Sequence, residues 1–158
     1  MTAEDRSSRL NAEPFRPQDG VIAQNGAASL TPDVVKACRE EPQAVQIVRE
    51  PIAIATLKRM TERMFGNLVK AVVDTGRDIM AIDGEMHADE EALLLGDGSR
   101  QASLWGINLH PGQFGTPDFI EFDSVINIRP SQGNRTRSVD DVAVRGQVTA
   151  VVDRLVTK

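Results

Sequence analysis

The chain has 158 residues, 41% of them hydrophobic and 26% charged, with a formal net charge of −5. This describes one domain, or one domain with a tail, large enough for a real core. The acidic balance and a 4% aromatic content without tyrosine argue against a general nucleic-acid coat, which needs broad positive charge and stacking faces.

Residues 1–44 read as an N-terminal extension, largely disordered. Both charge signs mix with Pro14, Pro17, Gly20 and Gly26, without a sustained period. Thr31-Pro32 is the expected start of a short helix over residues 32–39. The single cysteine, Cys38, excludes an internal disulfide and has no adjacent base, so it reads as inert. With no apolar leader and no run of membrane-spanning length, a cytoplasmic protein is expected.

Residues 45–158 are expected to form a single α+β domain. Val45 to Arg49 reads as a short strand. Ile54 to Phe65 reads as a helix with Ile54, Leu57, Met60, Thr61 and Met64 on one face, ended by Gly66-Asn67. Leu68 to Val73 and Ile79 to Ile82 form a hairpin around Asp74-Thr75-Gly76-Arg77, with Gly76 expected to give the turn its freedom. Asp89, Glu90 and Glu91 suit the first turn of a helix, Leu93 to Leu95 its buried part, and Gly96 its end. Ser103 to Leu109 is a strand, with Asn108 and His110 on one side and Trp105, Ile107 and Leu109 on the other. Trp105 reads as a core anchor.

Phe119 to Arg129 is the longest expected strand. Ile120, Phe122, Ile126 and Ile128 fall on one face and Glu121, Asp123, Asn127 and Arg129 on the other. Ser138-Val-Asp-Asp resembles a capping box opening a last helix, whose stripe is Val144, Val148, Val151, Val152 and Leu155. The sum is a mostly antiparallel sheet of four to five strands with helices packed on one face.

The segments MFGNLVKAVVD, GEMHADEEALLLGDGSRQASLWGINL and FIEFDSVINIRPSQGNRTR resemble a small uncharacterised prokaryotic domain-of-unknown-function family, over roughly residues 45 to 157. The resemblance implies a compact prokaryotic α+β domain and no particular activity. It also makes the first 44 residues an extension.

Charge is uneven. From Asp83 to Asp97 there are six acids and no Lys or Arg; from Arg129 onward six bases face three acids. The loop Arg129 to Arg137, RPSQGNRTR, holds three arginines and no acid. Guanidinium forks match phosphate or carboxylate oxygens, and Gly133 would let backbone N–H groups approach an anion. Arg129, Asn134, Arg135 and Arg137, with Asn127 and Asn108 on the adjoining sheet face, are therefore the candidate anion-binding residues. Their structural alternative is pairing with Asp140, Asp141 or the Glu121/Asp123 face. Glu85, His87 and Asp89, with Glu91, are a weak metal set, because a helix start explains the acids by itself. No metal and no cofactor is expected. His110 reads as a loop-edge histidine before Pro111.

GDGSRQ lacks the third glycine of a dinucleotide fingerprint, and no P-loop or nucleophile elbow occurs. The leading expectation is a binding module for a phosphate- or carboxylate-bearing partner. The first alternative is a phosphodiester (RNA) hydrolase using His87 or Glu85 with Arg129 and Arg135. The second is an interaction or scaffold subunit that docks on a protein partner or forms a homo-oligomer. The hydrolase requires His87 or Glu85 to stand near the arginine loop.

Overall fold

The computed structural model describes residues 44–158. All but the last residue of the expected N-terminal extension, with its helix over residues 32–39 and Cys38, lies outside them. Strand β1 (Gln46–Val48) leads through β2 (Ile52–Ala53) into helix α1 (Ile54–Arg63). Leu57, Met60 and Thr61 are the buried face of α1, and Gly66, at φ +76°, turns the chain out of it. Strands β3 (Val69–Asp74) and β4 (Ile79–Ile82) form the expected hairpin. Helix α2 (His87–Gly96), strand β5 (Leu104–Leu109), the short β6 (Ile120–Glu121), helix α3 (Val142–Leu155) and β7 (Val156–Thr157) follow.

The main sheet is antiparallel throughout, in the order β1-β4-β3-β5-β6, as expected for an α+β fold. A second, two-stranded sheet pairs β2 with β7 in parallel and ties the end of α3 to the start of α1. α1 and α3 pack on one sheet face, where Leu57, Met60, Val148, Val152 and Leu155 meet Val73 and Ile107. α2 lies on the other, its Leu94 against Val72, Ala81 and Leu104. The one-face expectation thus holds for two of the three helices. Cover on both sides explains why all six residues of β5 are buried. Trp105 is in the core, as its alternation with Ile107 and Leu109 implied.

The structure corrects the expected strand from Phe119 to Arg129. Only Ile120–Glu121 pairs as a strand, opposite Asn108 and Leu109. A Cβ on Gly106 of β5 would lie 2.5 Å from Ser124, so Ser124 occupies the space over that glycine. The chain then coils as a 3-10 turn, Val125–Asn127. The Asn127 side chain replaces the missing strand partner. Gly106 N donates to its Oδ1 at 2.8 Å and its Nδ2 donates to Gly106 O at 2.9 Å. The expected faces are overturned with it: Asn127 and Arg129 are buried, whereas Ile128 is exposed.

Three local expectations also change. The hairpin turn takes its positive φ at Asp78 (53°), not at Gly76. Asp74 Oδ1 holds that turn by accepting from Gly76 N and Arg77 N. Helix α2 starts at His87 and buries Glu90 and Leu94, while Leu93 and Leu95 face outward. The last helix is capped by Asp141, which accepts from Ala143 N and Val144 N; Ser138 lies three residues before that cap.

Candidate functional site

The polar residues of the α2 face gather where three strands cross. Lys70 of β3 stands opposite Asn108 of β5, which stands opposite Glu121 of β6. One residue before Asn108, the carbonyl of Ile107 accepts from His87 Nε2 at 2.8 Å. A carbonyl can only accept, so the His87 proton sits on Nε2 and Nδ1 carries the lone pair. His87 is held below the usual histidine range, first by burial, then by the Lys70 and Arg137 charges, with the Ile107 bond and Asp123 acting the other way. It is therefore neutral at pH 7.

The surrounding groups come from four segments. Lys70 Nζ donates to Glu85 O at 2.7 Å and stands 4.7 Å from the Phe65 ring centroid. Arg137 grips Asp123 through Nε at 2.6 Å and NH2 at 3.0 Å. Asn108 Nδ2 donates to Glu121 Oε2 at 2.9 Å, and His110 Nε2 lies 3.1 Å from the same oxygen. These two contacts, Asn108 first, hold the Glu121 carboxyl below its ordinary range. Asn108 Oδ1 is buried without a hydrogen-bond partner.

The candidate residues of the arginine loop divide. Arg129 is buried, with Nε donating to Ile126 O, NH1 to Gln101 O and NH2 reaching Glu91 Oε1 at 3.3 Å, its guanidinium over the Trp105 ring. Asn134 is buried too. Its Nδ2 donates to Asn127 O, Thr136 O and Ser138 O, and its Oδ1 accepts from Asp140 N. Together with Asn127 these residues hold the loop in shape. Arg137 is joined to the His87 face. Arg135 is exposed; its backbone N donates to Asp140 Oδ2, and its guanidinium makes no hydrogen bond among the described residues.

Of the weak metal set, His87 is in the cluster and Glu85 enters through its backbone carbonyl. Among the described residues no three His, Cys, Asp or Glu side chains stand close enough to hold a metal ion. The arginine loop nevertheless reaches the helix that bears His87: Arg129 pairs with Glu91, one turn beyond His87 on α2, while Arg137 is held at Asp123, whose carbonyl accepts from Asn108 Nδ2.

Sequence reasoning missed Lys70 as a site residue, since a lone lysine in an apolar strand reads as an outward side chain. It also missed Glu90. That carboxyl is wholly buried, accepts from Gly84 N at 3.0 Å, and is pushed up to about 9, chiefly by burial. Gly84 makes room for it, since a Cβ there would lie 2.8 Å from Glu90 Cγ. Nearby, Asp83 is buried at φ 71° and accepts from Arg63 NH2 at 3.1 Å.

The model of a family described as "Protein of unknown function (DUF5674)" matches residues 46–155. No curated protein and no solved structure matches the chain.

Proposed function

Because the chain belongs to the DUF5674 family, whose description leaves the activity open, its function must be sought in its own site, and we propose a binding module for a phosphate- or carboxylate-bearing partner. Lys70 and Arg137 would hold the anion beside His87. One observation carries this reading: Lys70 stands opposite Asn108, the residue after the Ile107 that receives His87, and Asn108 Nδ2 also donates to the carbonyl of Asp123, whose carboxylate Arg137 grips, so cations from two separate elements meet at one half-buried imidazole face. Both keep donors in reserve. Lys70 has three ammonium protons and directs one to Glu85 O; Arg137 has five N–H groups and directs two to Asp123. Arg129, by contrast, is buried, with an N–H of each of its three nitrogens directed to a partner within the chain. The unpartnered Asn108 Oδ1 would accept from a protonated ligand oxygen. Arg135, on the same loop as Arg137, supplies an outlying fork.

Inorganic phosphate should raise the melting temperature more than chloride at matched ionic strength, and should raise the His87 pKa seen by NMR, since a bound anion favours imidazolium. Lys70→Ala and Arg137→Ala should each remove most of both effects. A His87 titration indifferent to phosphate and carboxylate would defeat the reading.

The His87 tautomer favours a second reading, phosphodiester hydrolysis, with Nδ1 as the proton acceptor and Arg137 steadying charge at phosphorus. Turnover of an activated phosphodiester, lost in His87→Ala, would select it. A cytoplasmic, prokaryotic setting belongs to the proposal as well; the single cysteine supports the reducing compartment.

A further inference from the structure

We infer that the ligand is an amphipathic anion, a small molecule whose charged group meets Lys70 and His87 while an aryl ring or short acyl chain lies over Phe65 and Met86. This rests on the anion-binding reading above and adds the other half of the ligand. Beside the polar face runs a groove of about 350 Å³ lined by Arg63, Met64, Phe65, Glu85 and Met86. That volume lies within the range of small-molecule sites.

Two of its residues run against their local context. Met86 is the N-cap of α2, a position that prefers Ser, Thr, Asp or Asn, and it forms no side-chain cap; it is 57% exposed. Phe65 directly precedes the Gly66 turn and is 41% exposed. Neither side chain belongs to the core, and both line the groove.

The groove and the anion site share a wall. The ammonium of Lys70 stands above the Phe65 ring and donates to Glu85 O, and Met86 is the residue before His87. An apolar group in the groove thus places a substituent a few atoms away at the Lys70 and His87 end. Charge selects the occupant: the rim carries two cations, Lys70 and Arg63, against the one carboxylate of Glu85, and Arg63 directs only NH2 to Asp83. A neutral apolar molecule would leave those donors unused, whereas an anion with an apolar tail satisfies both halves.

The test is calorimetric titration of the full chain with phosphate, phenyl phosphate and phenol, and with acetate and benzoate. Phenyl phosphate should bind roughly tenfold tighter than phosphate, as expected for part of a ring removed from water, and phenol should bind far more weakly than phenyl phosphate. Benzoate against acetate should show the same ratio if the head group is a carboxylate. Met86→Ser, at an exposed position, should reduce the ratio and leave the affinity for phosphate or acetate unchanged; Phe65→Ser should reduce it further. Equal binding of phosphate and phenyl phosphate, and of acetate and benzoate, would overturn the amphipathic ligand while sparing the anion site. Binding of phenol as tight as that of phenyl phosphate would overturn it too. Failure of every anion to bind would end both proposals.

Discussion

The side chain of Asn127 and the backbone of Gly106 exchange two hydrogen bonds, so that one amide continues the sheet where a strand would otherwise run. Asn127 Nδ2 also donates to Arg137 O at 2.8 Å, which links β5 directly to the segment bearing a site cation. Asn127→Ala would leave Gly106 N, buried in β5, without an acceptor. It should cost about 2–4 kcal/mol in denaturant unfolding and weaken anion binding through Arg137. Unchanged stability would mean that water replaces the amide.

Gly106→Ala should destabilise by about 1–3 kcal/mol, because its Cβ would overlap Ser124. Adding Ser124→Gly should recover part of that loss. If the double variant is no more stable than Gly106→Ala alone, the close approach of these two residues is not the cause.

Glu90 makes stability pH-dependent in an unusual direction. Its folded pKa of about 9 lies above the ordinary glutamate value of 4.5. The native state therefore holds a proton that the unfolded chain has released, and its contribution is complete below pH 4.5 and lost as pH rises toward 9. Unfolding free energy should fall by about a few kcal/mol between pH 5 and pH 9. Glu90→Gln should flatten that slope and exceed the parent protein in stability at pH 8. A slope equal in both proteins would assign it to other groups.

Arg129 serves three acceptors from a site that is 8% exposed. Arg129→Ala should cost about 3–5 kcal/mol, since it leaves Glu91 with no cation and two carbonyls without their donor. Arg129→Lys should recover only part, because one ammonium cannot reach three divergent oxygens. Full recovery by lysine would show that only the charge matters.

His87 should titrate below the ordinary value of 6.5, with nitrogen NMR at pH 7 showing a protonated Nε2 and an unprotonated Nδ1. Burial is the main cause, so Lys70→Ala and Arg137→Ala should each raise the midpoint only partly. A midpoint above 6.5 in the parent protein would contradict the environment described for the ring.

The elements legible in the sequence are those whose fate depends on local periodicity. The apolar stripes of α1 and α3 repeat at the helical period and burial follows it, while the β3–β4 hairpin and the central strand with Trp105 show as β-branched and apolar runs between turn signals. The segment from Phe119 to Arg129 alternates just as well, yet tertiary contact decided it: Ser124 fills the space over Gly106, Asn127 takes the sheet's hydrogen bonds, and the chain coils. The candidate site was half legible. His87, Asn108 and Arg137 stood out by residue type, and the need for His87 to lie near the arginine loop could be stated from sequence, but whether it does depends on strand register. Only the pairing of β3 with β5 sets Lys70 opposite Asn108, and only the packing of α2 across that pair brings His87 to the Ile107 carbonyl. Glu90 was hidden for a similar reason. An acid in the first turn of a helix is ordinarily solvated, and here its burial depends on the missing Cβ of Gly84, a residue six positions away that reaches it only in the folded chain.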